Sequence, residues 1–380
     1  MNNAEQRERL TGRAVMLCLA VLIAVPLCPN VARPQSVAFI NPGRSDEIYW
    51  VTATQAMQAA ARNLGITLEV HYAEREPLNT LQIAREVVAR PAANRPEYVV
   101  ITDEYGMFDQ LLSIIDPAGV KTFLAYGSVP VDRHKDVGLP RSKYTGWLGS
   151  LDPRAEDAGY LTARALIERG KKQKAFAPEG KLHMLAIAGD ESTPTSIDRN
   201  RGMRRAIAED PTIVLEQQIY ARWTREKAAD EAGWLYQRYP DAKLVWAGND
   251  VMALGAMAAW EKRGGHPGVD AWFSGIDTST EALEGIKSGR LTSLAGGHFI
   301  TGAWALVILY DYHRGRDFTD EGFELRRPLF VEITPQLAKR YFERFSGGFE
   351  SIDFSRYSKV KNPQLNRYNF DFTQLLEAKP

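Results

Sequence analysis

The sequence predicts an α/β fold of two doubly wound parallel-sheet lobes, and three observations carry that prediction. From Val37 onward, short apolar segments alternate with amphipathic ones. Several of the short segments, such as Tyr98-Val99-Val100-Ile101, are apolar at consecutive positions. That is the pattern of strands buried on both faces beneath helices. About nine such strand–helix units follow one another, more than one open sheet ordinarily holds.

The first candidate strand is Val37-Ala38-Phe39-Ile40, closed by Asn41-Pro42-Gly43. Trp50, Thr54, Met57, Ala61 and Leu64 then recur at three- and four-residue spacing. They make the apolar stripe of a helix that Gly65 ends as a C-cap. Ile66, Leu68, Val70 and Tyr72 alternate as a second strand. Further strands are expected at 98–102, 121–127, 182–189, 213–220, 243–247, 271–276 and 291–295, with helices between them. Several of those helices are expected to stop at glycine, at Gly170, Gly264 and Gly289. The Pro/Gly-containing residues 130–146 are the expected break between the sheets. The tail from 353 to 380 has Tyr, Phe and Asn without periodicity and reads as an ordered extension packed on a lobe.

The N-terminus is different in kind. Arg7, Arg9 and Arg13 precede an uncharged apolar run at 14–27, which ends among Pro26, Pro29, Asn30 and Pro34. A membrane-spanning helix needs roughly 20 apolar residues, so this shorter run reads as the core of a signal peptide. Cleavage after Ala32 is expected, with lipid attachment at Cys28 as the alternative. Both cysteines, Cys18 and Cys28, lie in this segment. Such cleavage leaves a mature chain without a disulfide framework, a cysteine–zinc site or a cysteine nucleophile. The 47 basic and 47 acidic residues cancel, so no global field attracts nucleic acid or an anionic membrane.

Ligands of parallel sheets sit beyond the carboxyl ends of the strands. Those positions carry residues 41–50, Asp103-Glu104-Tyr105, Tyr126, residues 190–199, Asn249-Asp250, Asp277 and Gly296-Gly297-His298. Aromatic faces, amides, carboxylates and a guanidinium together suit a sugar, whose C–H faces stack on rings while its hydroxyls need planar polar partners. Enzymatic signatures are missing: no G-x-S-x-G, no G-x-G-x-x-G after a strand, no phosphate loop and no H-x-x-x-H pair. No cofactor and no metal are therefore expected. Asp103 with Asp277 could imitate a glycosidase pair, the least favoured reading.

The same strand ends carry a resemblance. INPGRSDEIYWV (40–51), DRNRGM (198–203), WAGNDVMALGAM (246–257), FSGID (273–277) and LTSLAGGHFITGAWAL (291–306) resemble the type I periplasmic binding proteins. The likeness is strongest to ribose-type sugar binders and the autoinducer-2 receptor, and it runs from about Val37 to Thr334. Strings similar to GNDVMALGA (248–256) also occur in the effector-binding domains of sugar-responsive repressors, but an export signal stands where their DNA-binding helices begin. The resemblance implies two interleaved lobes, 36–148 with 298–328 and 149–297 with 329–350, joined by a multi-strand hinge. The signal peptide at 1–32 and an extension at 351–380 flank them. It implies Tyr49 and Trp50 as rings against the sugar, Glu47 as a polar contact, Arg199 reaching from the second lobe, and Asn249 and Asp277 completing the cage. Tyr126 departs from an Asp-Arg pair common in the family. Gly296 replaces a common glutamine, with His298 close by, so simple ribose or galactose specificity is not expected. Asp103 is the ninth candidate. The expected protein is periplasmic and monomeric, not an enzyme, and closes on a small polyhydroxylated ligand. An ABC permease is its expected partner, with a sensor kinase as the alternative.

Overall fold

Residues 34–377 are described by a computed structural model of the chain, so the expected export signal, its expected cleavage site and Cys28 lie outside the described residues. Strands β1 (Ser36–Asn41), β2 (Thr67–Tyr72), β3 (Tyr98–Ile101), β4 (Lys121–Ala125) and β5 (Trp147–Asp152) begin the first sheet. Strands β6 (Leu182–Ala188), β7 (Ile213–Tyr220), β8 (Ala242–Ala247), β9 (Trp272–Ile276) and β10 (Ser293–Gly296) begin the second. Two short late strands finish them: β11 (Glu324–Arg326) and β12 (Val331–Glu332). The orders are β11-β5-β4-β3-β1-β2 and β12-β10-β9-β8-β6-β7. Every pairing is parallel except β10 with β12. The two-lobed, doubly wound α/β fold expected from the sequence is therefore present.

In chain order the helices are α1 (Ile48–Leu64), α2 (Pro77–Ala89), α3 (Phe108–Ile115), α4 (His134–Val137), α5 (Ala155–Lys172) and α6 (Pro194–Ala208). They continue with α7 (Arg225–Arg238), α8 (Asp250–Lys262), α9 (Thr280–Ser288), α10 (Thr301–His313), α11 (Pro335–Phe345) and α12 (Phe372–Glu377). Among the described residues no helix is long and apolar enough to cross a membrane. Gly65 and Gly289 end α1 and α9 in the left-handed conformation, as their sequence position predicts. Gly170 does not end its helix; it lies inside α5. Its reason is space, since a β-carbon there would fall 2.9 Å from Leu244 of β8.

The break between lobes differs from the expected one. Residues 130–146 join β4 to β5 within the first sheet, and the chain crosses just after β5. The strand Trp147-Leu-Gly-Ser-Leu-Asp, fully buried, follows the Pro/Gly-rich stretch and was not anticipated. Three crossings connect the lobes: after β5, after β10, and between β11 and β12. Asp152 ties the first to the third. It accepts hydrogen bonds from the Arg154 amide (2.7 Å), Ser128 Oγ (2.8 Å) and Arg326 Nε (3.0 Å).

The extension is described through residue 377 and packs on α1, α10 and α11. Eleven of the 13 residues of α10 are buried, an all-round burial that an amphipathic surface helix does not need. The tail explains it. The Phe370 ring stacks on Trp304 at 5.1 Å, and Phe372 packs edge-on against Phe299 at 5.6 Å. Asp311 of α10 is fully buried and accepts bonds from the Lys359 and Val360 amides (2.6 and 3.2 Å), Tyr368 Oη (3.1 Å) and Ser358 Oγ.

Candidate functional site

The carboxyl ends of both sheets face one crevice, which with its open mouth holds about 530 Å³ of space. It is lined by Glu47, Tyr49, Trp50, Tyr126, Arg199, Asn249, Asp277 and His298, eight of the nine positions singled out in the sequence.

The first lobe supplies the aromatic wall. Asn41, at the end of β1, accepts the Gly43 amide (2.9 Å) and donates to Thr54 Oγ1 (3.1 Å), which fixes the loop leading into α1. Gly43 is required there, because a β-carbon would lie 2.0 Å from the Trp50 ring. Trp50 then meets Tyr126 edge-to-face at 5.2 Å and Tyr49 at 5.0 Å. Tyr126 holds a left-handed backbone (φ 66) and donates its hydroxyl to the Phe299 carbonyl at 3.2 Å. Burial raises its phenol pKa, so the group stays protonated. Glu47 is ion-paired with Arg75, whose Nε donates at 2.9 Å.

The second lobe supplies the polar floor. Asn249 is itself the N-cap of α8, its Oδ1 accepting the Met252 amide at 2.9 Å. Asp250 instead accepts the Ser279 amide at 2.7 Å. Asp277 does not cap the next helix; Ser279 does. Freed of that task, and held at φ 94, Asp277 faces Arg199 Nη2 at 3.4 Å and His298 Nε2 at 3.2 Å. Burial raises its pKa to about 6, with Arg199 opposing. Arg199 donates to the Gly248 carbonyl (2.7 Å) and to His298 Nε2 (3.0 Å). Its guanidinium lies over Trp223 and Phe330, 5.6 and 5.8 Å from the ring centroids.

Asp103 does not join the crevice. It accepts the Phe108 amide at 3.0 Å at the start of α3 and is ion-paired with Arg133 at 3.0 Å. Its neighbour Glu104 lines the cavity in its place. Sequence reading also missed Arg75, Trp223 and Phe330. Arg75 and Trp223 follow β2 and β7, at strand ends that the positional rule covers, and each turns with a positive φ (60 and 62). Phe330 sits on the third crossing, which carries no periodic signal. Among the described residues no group of His, Asp or Glu side chains is placed to hold a metal ion.

Four polar atoms facing this arrangement are buried without a hydrogen-bond partner. They are Trp50 Nε1, Glu104 Oε2, Arg199 Nε and His298 Nδ1, drawn from both lobes and a crossing. Buried polar groups are ordinarily paired; nine further unpartnered atoms are found among the described residues, and these four share one crevice.

A family model for a periplasmic binding protein domain matches residues 150–317. A crystal structure of a periplasmic sugar-binding protein from Pseudomonas fluorescens superposes with a TM-score of 0.82 at 38% identity, covering 90% of this chain and 100% of that one. The D-apiose import binding protein of Actinobacillus succinogenes is 32% identical over 286 residues, 73% of this chain and 83% of that protein. The xylitol-binding protein of Mycolicibacterium smegmatis is 32% identical over 121 residues, so the chain matches only 34% of its length.

Proposed function

This chain belongs to the type I periplasmic binding proteins, and from that premise we propose that it captures a small neutral sugar or polyol between its lobes and delivers it unchanged to an ABC permease. The observation that carries the reading is the set of four unpartnered buried atoms. Two are donors, one is a carboxyl oxygen and one is an imidazole nitrogen, all on residues lining one crevice. Hydroxyls both donate and accept, so a polyol can satisfy the whole set where a purely accepting or purely donating ligand cannot. The Trp50, Tyr126 and Tyr49 rings offer faces for the C–H side of such a ligand. The relatives named for D-apiose and xylitol favour five-carbon compounds. Groups from both lobes touch the same ligand, which therefore stabilises the closed form through differential affinity.

The test is calorimetric titration of the exported protein with pentoses, furanose sugars and pentitols. A ligand recovered unchanged, with affinity falling at least tenfold in both Arg199→Ala and Trp50→Ala, supports the reading. Equal affinity in both variants, or turnover of the ligand, sinks it.

A further inference from the structure

The carboxylates around the crevice are all spoken for except one. Glu47 is bound to Arg75, Asp277 faces Arg199 and His298, and Asp103 is bound to Arg133. Asp190 accepts from Trp223 Nε1 at 2.6 Å and from Thr193. Glu104 is half-buried as a residue, yet its Oε2 is sealed from solvent and meets no donor in the protein. Arg75, the cation nearest in its electrostatics, already spends Nε and Nη2 on Glu47. An unsatisfied buried carboxyl oxygen is costly, and only the Arg75 charge offsets that cost.

We infer that Glu104 is a specificity-determining residue of this cleft: its free oxygen accepts a hydrogen bond from one hydroxyl of the bound sugar or polyol. The inference rests on the sugar-binding reading above. A charge-assisted bond to a buried oxygen is strong and directional, so an analogue lacking that hydroxyl strands the oxygen again. Sites built this way reject the deoxy analogue far more sharply than an apolar pocket rejects a missing methylene. Acidic sugars are disfavoured too. A ligand carboxylate would enter beside Glu104, Glu47 and Asp277, while Arg75 and Arg199 each already face one of those carboxylates.

The bond has a readable signature. Burial raises the Glu104 pKa to about 7 in the unliganded protein; Arg75 opposes the rise, while Asp190, Glu47 and Asp103 add to it. Tyr105 and Tyr49 are the other titratable groups within its field. A donating hydroxyl favours the ionised form, so ligand binding releases a proton and affinity rises with pH through that region. Between pH 6 and pH 8 the gain is about tenfold.

The experiment is calorimetric titration at pH 6, 7 and 8 with D-apiose, D-ribose, xylitol and their deoxy analogues, using wild type, Glu104→Gln and Asp277→Asn. The expected result is tighter wild-type binding at pH 8 than at pH 6. Glu104→Gln should bind ten- to a hundredfold more weakly at pH 8, lose the rise above pH 6.5 and discriminate less against one deoxy analogue. Asp277→Asn should weaken binding while keeping that rise. The unliganded Glu104→Gln protein should melt no lower than wild type, which separates a lost contact from a damaged fold. If wild type binds a sugar and Glu104→Gln matches it at every pH, this assignment fails and the sugar-binding reading stands. If wild type binds none of the panel, both are overturned.

Discussion

Tyr49 stacks on His298, their ring centroids 4.9 Å apart and their planes 22° from parallel, and Phe330 covers the opposite imidazole face at 4.1 Å. A ring from the start of α1 and rings from two crossings thus form one column across the junction. His298 Nε2 lies 3.0 Å from Arg199 Nη2 and 3.2 Å from Asp277 Oδ1. Burial and the Arg199 charge push the His298 pKa well below its ordinary value, so the ring is neutral.

The buried carboxyls set how stability follows pH. Burial raises Glu104 and Asp250 to about 7 and Asp277 to about 6, all above the unfolded carboxyl range. Between about pH 4 and 7 these groups bind more protons folded than unfolded, so the protein gains stability as pH falls through their folded values. His298 works the other way: below about pH 6.5 only the unfolded chain takes up its proton. Unliganded protein should therefore melt at a higher temperature at pH 6.5 than at pH 8, with the gain flattening further down. Asp250→Asn should reduce the slope. A melting temperature that falls from pH 8 to pH 6.5 contradicts the assignment.

Helix packing holds the arginine in place. A β-carbon on Gly159 of α5 would lie 1.9 Å from the Arg199 carbonyl, and one on Gly202 would lie 1.9 Å from the Glu156 carbonyl. Gly159→Ala must push α6 away and carry Arg199 with it. The expected cost is about 1–3 kcal/mol in urea unfolding, together with weakened ligand binding. Gly233→Ala in α7 is the control, since no atom lies within 4 Å of the added carbon. It should leave binding alone and stabilise by roughly 0.5–1 kcal/mol.

Asp311 anchors the tail. Its four bonds reach Ser358, Lys359, Val360 and Tyr368, and Lys359 Nζ is itself buried against Glu321 at 2.6 Å. Asp311→Ala strands two amides and two hydroxyls, at a cost of about 3 kcal/mol or more. Limited proteolysis should then cut between residues 346 and 371 in the variant long before the wild type. Equal protection of both would show that the aromatic contacts alone hold the tail.

Most of the architecture was legible because burial writes itself into composition. Tyr98-Val99-Val100-Ile101 is apolar at every position, and every one of these residues is buried in β3. Trp147–Asp152 was not legible: its Gly149 and Ser150 look like loop residues. Gly149 is in fact demanded by the Phe323 carbonyl, which would lie 2.3 Å from a β-carbon. At the site, the rule about strand ends located eight crevice residues but could not choose between adjacent acids. Asp103 is held by the Phe108 amide and Arg133 while Glu104 lines the crevice, and Tyr105 beside them has a φ of 61. Backbone reversals of that kind leave little trace when the residue is not glycine.

The last two strands, β11 and β12, are separated by four residues, yet one completes the edge of the first sheet beside β5 and the other the edge of the second beside β10. Neither half of the molecule can finish its hydrogen-bonded edge until this single ribbon has been laid down. A chain arrested before residue 324 leaves β5 and β10 as bare sheet margins at once, each a template for self-association.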